Sequence, residues 1–546
     1  MSVHEPTASS SGVEARGPGH ESSDDGDAML EALGYKSELV RTRSTWHVAF
    51  MSFVLASIPY GLATTLYYPL QGGGPVVVIW GWLLVSLIIL CVAASLGEIT
   101  SVYPTAGGVY YQTFMLAPAN FRRVAAYICG WAYVVGNITI TLAVQFGSTL
   151  FFVACVNVFE SEPGVGVWAG ETYQVFLTFL AITVLCNIIS IFGNRWLHHL
   201  DTFAIFWTFA GLLAILITVL AVAKEGRRSA SFAFGDFEVT SGWPAGWSFC
   251  VGLLHAAYAT SSTGMVISMC EEVQRPATQV PKAMVITIII NTIGGLLFLV
   301  PLMFVLPDLA MLVALPSGQP VPTIIKSAVG SSGAAIALLL PLMVLAILCG
   351  VACTTAASRC TWAFARDGAI PGAKWWKQVH PKLDLPLNAM MLSMAIQIVL
   401  GLIYFGSYTA FNAFSGVGVI SLTVSYASPI AVSMLEGRAH VKEAKFSLGR
   451  FGWLCNGVAI GTKAKSRTNC FLAWSILAVP LFCMPAYLPV TRGSVNYAPV
   501  VFVGFVLIAF AWYAAWGRKN YQGPPTESVG EDPAAEDHAA GGLKKD

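Results

Sequence analysis

The first long apolar stretch of the sequence is interrupted by Ser57-Ile58-Pro59-Tyr60-Gly61, and the sixth by Tyr258-Ala259-Thr260-Ser261-Ser262-Thr263-Gly264. At membrane depth such breaks free backbone groups from their internal hydrogen bonds, so they persist only where protein or a water-filled cavity satisfies those groups. Interrupted stretches in corresponding positions of two halves indicate a solute site between them. The alternative is that Pro59 and Gly61 only kink the first helix for packing.

Composition assigns the chain to the lipid bilayer. Hydrophobic residues make up 56% of it and charged residues 11%, whereas about 25% of residues are charged in an ordinary soluble domain. The formal net charge is +1, and no basic stripe with interleaved aromatic residues is present, so we expect no nucleic-acid partner. The cysteines form no CxxC or Cys/His cluster at ligand spacing, so we predict no metal and no cofactor.

Twelve segments are apolar over about the 20 residues that a membrane-spanning helix needs, and we number them spans 1 to 12. Their approximate limits are 46–68, 75–96, 124–154, 173–193, 202–223, 247–270, 284–306, 333–358, 389–407, 411–435, 451–488 and 497–516. Residues 1–45 are rich in Ser, Gly, Asp and Glu and predict a disordered tail, and 517–546 form a second polar tail. Lysines and arginines concentrate in the predicted loops on the side of both tails, so we expect cytosolic termini.

Several groups of residues carry a family resemblance. They are Leu33-Gly34-Tyr35, Ser95-Leu96-Gly97-Glu98-Ile99, Tyr103-Pro104-Thr105-Ala106-Gly107-Gly108, Glu271-Glu272-Val273-Gln274-Arg275-Pro276, Pro281-Lys282-Ala283, Ser358-Arg359 and Ala365-Arg366-Asp367-Gly368-Ala369-Ile370-Pro371. Together they resemble the amino acid/choline transporter family, part of the amino acid, polyamine and organocation (APC) transporters. This resemblance extends from about Leu33 to Tyr521.

The resemblance implies an all-α integral membrane protein of about twelve helices. Its transporter domain would cover 46–516, with a first repeat of five helices at about 46–223 and an inverted second repeat at about 247–435. Spans 11 and 12, at about 451–516, would lie outside the repeats. The broken first and sixth helices would line one central site.

Aligned on these motifs, nine residues of the two breaks are the predicted solute-binding residues. They are Ser57, Pro59, Tyr60, Gly61, Tyr258, Ser261, Ser262, Thr263 and Gly264. No Asp or Glu lies near the middle of a predicted span, so an amine would have to rest on carbonyl dipoles and aromatic faces. Tyr60, Tyr258 and Trp131 are the candidate aromatic residues, although each is also compatible with ordinary packing.

His255 is the ionisable residue that we place well inside a span, on nearly the same face of span 6 as Tyr258. Ionisable groups at membrane depth are costly and indicate function, which makes His255 the candidate for proton coupling. The alternative is a neutral histidine bonded to a neighbouring carbonyl. Some proton-coupled relatives carry a lysine in the fifth helix, and span 5 has none.

Four charged residues near the ends of spans 2 and 8 are candidates for a cytoplasmic gate. They are Glu98, Arg359, Arg366 and Asp367. Pro104 and Gly107-Gly108 make the segment after span 2 a turn that can change conformation. Solvated helix ends are the alternative interpretation of these charges.

Residues 461–473 depart from the family pattern, because they place Lys463, Lys465 and Arg467 inside span 11. Each charge at the bilayer centre costs about 2.5 to 3.5 kcal/mol on insertion scales. Removal of these residues would restore an uninterrupted apolar helix, which favours a gene-model error such as a translated intron. The alternative is that span 11 bends, or starts at about Phe471.

The sequence predicts a secondary active transporter of a small amine-containing solute such as choline, γ-aminobutyrate or another amino acid. By resemblance we expect alternating access with proton symport. We expect the plasma membrane as its location, with the vacuolar or Golgi membrane as the alternative. A polyamine or thiamine transporter, or an ion-independent facilitator or exchanger, is the alternative. A P-loop, a selectivity ring and paired catalytic groups are all missing from the sequence, which argues against a nucleotide-driven pump, a channel or receptor, and an enzyme.

Overall fold

The computed structural model describes residues 27–36, 38–39, 45–162, 165–168, 170–193, 196–315, 317–406, 408–442, 444–460, 474–491 and 495–525. Within these residues, helices dominate, and one short antiparallel hairpin joins Glu160–Glu162 to Val165–Gly166. Among the residues that the structure describes, eleven helices are long and apolar enough to cross a membrane. The chain is therefore an all-α, multi-pass membrane protein, as predicted.

The helices follow the predicted spans closely. Spans 1 to 6 comprise Thr45–Ala56 with Ile58–Thr65, Trp82–Val102, Arg122–Val156, Thr172–Phe192, Leu197–Val222, and Ala245–Gly252 with Leu254–Thr260 and the 3-10 helix Ser261–Glu272. Spans 7 to 12 comprise Pro276–Phe304, Ser332–Arg366, Leu387–Gly401, Tyr408–Leu435, Phe451–Ile460 with Trp474–Cys483, and Ala498–Trp512. The main additional helices are Tyr67–Gly73, Gly108–Leu116 and Pro320–Val329.

Burial separates a central group of spans from a peripheral one. In the most apolar window of spans 1 and 6, 83% of the residues are buried, against 28% for spans 5 and 9 and 11% for span 12. Apolar side chains that face lipid need no protein partner, so the peripheral spans present theirs outward. The two interrupted spans consequently lie at the centre of the bundle.

Close helix contacts hold this centre together through small residues. A Cβ added at Gly136 of span 3 would lie 2.9 Å from Leu422 of span 10, and one added at Gly418 would lie 2.9 Å from Ile140. Each span thus places a glycine against a branched side chain of the other. Membrane helices associate chiefly through such packing, because lipid tails are as apolar as the side chains.

Span 11 is divided into two ten-residue helices, and the residues 461–473 between them lie outside the described part of the chain. Across this gap the Ser475 hydroxyl donates a hydrogen bond of 2.9 Å to the carbonyl of Ala459. If residues 461–473 were deleted, Ser475 would follow Ala459 by one helical turn. The two helix ends therefore meet with the spacing of a single continuous helix.

Parts of both predicted tails pack against the helices. Residues 27–32 form a helix, and Leu30 and Tyr35 are buried, so this part of the segment 1–45 is packed rather than disordered. At the other end Tyr521 is buried against Tyr127, with ring centroids 5.1 Å apart. Both segments pack on one end of the bundle because they carry apolar side chains. The polar overall composition of the tails gave no sign of these few apolar residues. We call this end the terminal face, and the opposite end the distal face.

Candidate functional site

Span 1 breaks at the predicted position. Ser57 has the left-handed conformation, with φ 39° and ψ 51°, between the helices Thr45–Ala56 and Ile58–Thr65. A non-glycine residue rarely adopts this conformation, and Pro59 in the first turn of the second helix has no amide to donate. The Ser57 hydroxyl instead donates to the carbonyl of Val54. The helix of span 1 is therefore interrupted at the single residue Ser57, and a second helix begins directly after it.

The α-helix of span 6 also breaks within Tyr258–Gly264, but the break is a change of winding and not the unwound gap that was expected. The α-helix ends at Thr260 and continues as a 3-10 helix from Ser261. The hydroxyls of Ser261 and Thr263 donate to the carbonyls of Tyr258 and Thr260, at 2.8 and 2.6 Å. These local side-chain bonds support the tighter winding.

Two tyrosines of other spans bind backbone carbonyls of this 3-10 segment. Tyr426 of span 10 donates to the carbonyl of Ser261 at 3.1 Å, and Tyr133 of span 3 donates to that of Gly264 at 3.2 Å. Both phenols are buried. The segment is consequently fastened to spans 3 and 10, and these two carbonyls already have donors.

The two broken spans lie against each other. A Cβ added at Gly61 would lie 3.5 Å from the Cβ of Ala259, and the Thr65 hydroxyl lies 2.9 Å from Nδ1 of His255. His255 is buried, and its Nε2 has no hydrogen-bond partner within the described chain. The partner of Nδ1 is thus a hydroxyl of span 1 rather than the carbonyl expected for a neutral structural histidine.

A cavity of about 390 Å³ extends from the distal face to the two broken spans. Span 1 contributes Thr64 and Thr65, and span 6 contributes Leu254 and Tyr258. The remaining wall comes from the segment after span 1, from spans 3, 10 and 11, and from two distal loops. These other lining residues are Tyr67, Tyr68, Ala143, Phe146, Gly147, Leu150, Leu315, Ser317, Gly318, Gln319, Ala413, Phe414, Ser415, Gly416, Phe482, Met484, Pro485, Ala486, Tyr487, Val495 and Asn496.

Of the three predicted aromatic residues, Tyr258 alone lines this cavity. The Tyr60 phenol points to span 3, where it donates to the carbonyl of Val144 at 2.8 Å and lies 2.9 Å from the Ser148 hydroxyl. Trp131 packs edge-on against Phe364, with ring centroids 5.7 Å apart. Helical rotation turns Tyr60 away from the cavity, and Trp131 lies too close to the terminal face.

The other predicted site residues lie beside the cavity rather than in its wall. Ser261, Thr263 and Gly264 line a narrow crevice between spans 2, 6, 10 and 11. Ser57, Pro59, Gly61 and Ser262 are buried at the breaks. The described structure therefore brings the predicted residues to one region, but it places only Tyr258 in direct contact with the larger cavity.

The terminal face is closed by two ion pairs between spans 6 and 8. Arg359 donates from Nε to Glu272 at 2.7 Å. Arg366 donates two hydrogen bonds to Glu271, at 2.9 and 3.0 Å. Bidentate pairs of this kind are among the stronger charge-assisted hydrogen bonds. Glu271 also accepts a 3.0 Å bond from the amide of Ala106, which ties in the turn after span 2.

Asp367 joins the same closure through two tyrosines. It accepts hydrogen bonds from Tyr35 at 2.9 Å and from Tyr110 at 2.8 Å. The Tyr35 ring in turn lies under the guanidinium of Arg366, 4.0 Å from its centroid. Burial raises the pKa of Asp367 to about 6, although Arg366 and the two hydroxyls oppose that rise.

Glu98 belongs to a separate ion pair. Its carboxylate accepts from Arg438, which follows span 10, and from the amide of Leu448 at 3.0 Å. Arg438 also donates to the carbonyl of Gly449 at 3.0 Å. Glu98 therefore fastens span 2 to the loop between spans 10 and 11, and it does not contact the arginines of span 8.

Sequence reasoning missed several residues of these sites. Glu271 and Glu272 stand in a quoted motif but were not assigned as partners of span 8, and Tyr35 stands in a segment predicted to be disordered. Gln319, Tyr68 and Asn496 lie in or near distal loops. Loop residues carry no helical periodicity that would direct them to a cavity.

Comparison with known proteins identifies the family of the chain. Residues 44–506 match the family described as amino acid permease. The chain is similar to the choline transporter of Saccharomyces cerevisiae, with 28% identity over 88% of this chain and 83% of the relative. It is also similar to the amino-acid permease BAT1 of Arabidopsis thaliana, with 28% identity over 92% and 96%, and to the polyamine transporter TPO5 of Saccharomyces cerevisiae, with 25% identity over 93% and 81%. The relatives are named as transporters rather than enzymes, and this chain belongs to the amino acid permease family.

Proposed function

We propose that this permease moves a small amine-containing solute across the membrane by alternating access. The observation that carries the proposal is an asymmetry between the two faces. On the distal face a cavity reaches Tyr258 and Thr65 at the two broken spans. On the terminal face, Arg359 and Arg366 of span 8 hold the end of span 6 in buried ion pairs. One access route is open and the other is shut, as alternating access requires.

The opening step is proposed to break both ion pairs together. Glu271 and Glu272 are neighbours at the end of one 3-10 helix, and each is bound to a different turn of span 8. A tilt of the last part of span 6 away from span 8 separates both pairs at once. The turn at Ala106 moves with it, because its amide is bound to Glu271.

We assign the terminal face to the cytosol and the distal face to the outside of the plasma membrane. The support is the distribution of lysine and arginine, which favours short cytoplasmic loops. On this assignment the solute enters from outside through the cavity beside Gln319 and Tyr68. The closed gate of Arg359, Arg366 and Asp367 then separates it from the cytosol.

The driving force is proposed to be a proton gradient, with His255 as the coupling group. His255 is buried where spans 1 and 6 touch, and its Nδ1 is bound to the Thr65 hydroxyl. A proton taken up there would alter the contact between the two broken spans. An ion-independent facilitator or exchanger is the competing mechanism.

The names of the relatives define the solutes to test. Choline, amino acids and polyamines are each represented among them, and thiamine follows from the family resemblance. We propose uptake assays with radiolabelled choline, γ-aminobutyrate, spermidine and thiamine in a cell that lacks its own transporters. Accumulation of one amine above the equilibrium level is expected, and an uncoupler should abolish it.

Two controls separate the mechanisms. Counterflow, in which unlabelled solute inside accelerates entry of labelled solute, is expected of a carrier and not of a channel. In a His255→Gln variant, proton symport predicts that uptake becomes insensitive to the uncoupler. Unchanged accumulation and unchanged uncoupler sensitivity in this variant would remove His255 from the coupling mechanism.

A further inference from the structure

The wall of the distal cavity has an unusual chemical composition. None of the described residues that line it is charged, and seven of them are aromatic. The aromatic residues are Tyr67, Tyr68, Phe146, Tyr258, Phe414, Phe482 and Tyr487. Ligand sites range from about 300 to 1,000 Å³, so a cavity of about 390 Å³ fits a small solute. Recognition here must come from ring faces and uncharged polar groups.

Of the four side-chain amide N–H groups of Gln319 and Asn496, three are already engaged. The side-chain nitrogen of Gln319 donates to the carbonyl of Thr64 at 3.2 Å. The side-chain nitrogen of Asn496 donates to the carbonyls of Phe482 and Met484, at 2.6 and 2.9 Å. A carboxylate that entered this cavity would therefore meet hydroxyl groups and one remaining amide N–H, that of Gln319, but no charged donor among the described lining residues.

Acceptor oxygens, in contrast, remain available. The Gln319 side chain is buried, and its Oε1 has no hydrogen-bond partner in the described part of the chain. Its orientation is fixed, because only the nitrogen can donate to the Thr64 carbonyl. The Thr64 hydroxyl donates to the carbonyl of Gly61 at 3.1 Å, so its oxygen can still accept a hydrogen bond. A buried acceptor without a donor is costly unless a ligand supplies one.

We propose that the distal cavity selects a small organic cation of single charge that carries one O–H or N–H donor, in preference to zwitterions and polyamines. The inference deepens the proposed function and depends on it. Aromatic faces attract the positive charge, and quaternary ammonium groups are the cations that such cages recognise best. The donor of the solute then satisfies Oε1 of Gln319.

The same wall disfavours the competing solutes. A polyamine brings several ammonium groups, each of which loses its hydration without a carboxylate to replace it. A zwitterion brings a carboxylate into a site that offers no cation among the described lining residues. Uncompensated burial of a charge outweighs the attraction of one ammonium to a ring.

The test measures binding of radiolabelled choline to the purified full-length protein in lipid nanodiscs, with competing solutes. Tetramethylammonium keeps the charge but lacks the donor, and should compete about tenfold more weakly, the loss expected for one hydrogen bond. The neutral isostere 3,3-dimethylbutan-1-ol, γ-aminobutyrate and spermidine should compete more weakly still. Equal competition by γ-aminobutyrate or spermidine would overturn the inference.

Variants locate the site. Tyr68→Leu should weaken choline binding about tenfold, whereas Tyr68→Phe, which keeps the ring, should retain it. Tyr173→Leu is the matched control, because Tyr173 lies outside the cavity and is exposed. Gln319→Leu should bring choline and tetramethylammonium to similar affinities. An unchanged ratio between these two cations in that variant would refute the role of Gln319.

The two levels of the proposal fail differently. If an amino acid or a polyamine is accumulated in cells while choline neither binds nor enters, the cation preference is wrong and the amine transporter stands. If none of the amines is accumulated and none binds, both proposals fall.

Discussion

Arg366 and Glu271 form a bidentate pair across 95 positions of the sequence. Glu271 is 1% exposed at its side chain and Arg366 10%. Removal of one partner from such a buried pair typically costs about 3 to 5 kcal/mol, because the other charge is left without compensation. The pair is therefore a strong constraint on the closed terminal face.

Arg366→Gln is expected to open the terminal face and to lower net uptake, because Glu271 loses its counter-charge. Glu271→Gln should have a smaller effect, since the carboxamide can still accept from the amide of Ala106 and Arg366 keeps the neighbouring charge of Asp367. The measurement is hydrogen exchange of residues 101–108 together with uptake per molecule at the surface. Lys374→Gln, which changes an exposed charge beyond span 8, is the control. Equal exchange in wild type and Arg366→Gln would contradict the gate.

The closed terminal face is expected to depend on pH through Asp367. Its pKa is about 6 in this face against an ordinary value of 3.8, so the closed state holds the proton more tightly than an open, hydrated one. Protonation thus stabilises closure at pH below about 4, and this contribution is lost as pH rises through about 6. The two-unit shift sets an upper limit of about 100-fold on the change in the open-to-closed ratio.

Hydrogen exchange of residues 27–36 between pH 4.5 and 7.5, corrected for the intrinsic rate, measures this dependence. Exchange should increase with pH in the wild type. In Asp367→Asn the pH dependence should disappear, because the carboxamide does not titrate, while Tyr35 and Tyr110 keep an acceptor. A variant that retains the full dependence would assign it to a group other than Asp367.

Replacement by alanine should affect stability differently at the two glycines of the breaks. At Gly61 the added Cβ meets Ala259 at 3.5 Å, an ordinary contact, whereas at Gly264 it meets the Tyr426 ring at 2.5 Å. That ring is held by its bond to the Ser261 carbonyl. We expect Gly61→Ala to fold and transport normally, and Gly264→Ala to lose about 1 to 3 kcal/mol through overpacking.

Thermal unfolding in detergent and uptake per surface molecule distinguish the two variants. Gly61→Leu serves as the sterically demanding comparison, and it should block uptake. Normal stability of Gly264→Ala would mean that span 10 yields more easily than its contacts indicate.

Tyr60 and Tyr258 should differ in what their loss changes. Tyr60→Phe removes the bond to the Val144 carbonyl and should lower stability by about 1 kcal/mol, with KM unchanged. Tyr258→Leu should raise KM, because its ring lines the cavity. A raised KM in Tyr60→Phe, at unchanged melting temperature, would mean that the Tyr60 hydroxyl contacts the solute.

Much of the architecture could be predicted from local chemistry. Pro59 and Gly61 located the first break, and apolar length located the spans. The directions of the side chains at the breaks were harder to predict. A shift of one residue along a helix decides whether a side chain faces the cavity or a neighbouring span, as at Tyr60. The attachment of the 3-10 segment of span 6 depends on tyrosines from spans 3 and 10, which are distant in sequence. Such partners are set by tertiary packing and leave no local signal.

The contact between Gly34 and Pro525 has a practical consequence for work with this protein. A Cβ at Gly34 would lie 2.9 Å from that of Pro525, so these two segments meet next to Tyr35, which binds Asp367. A fluorescent reporter joined directly after Tyr521 would remove this contact and perturb the molecule that it is meant to report on. Fusions should therefore be placed after Pro525. Truncations that remove Tyr35 would also remove its contacts with Asp367 and Arg366.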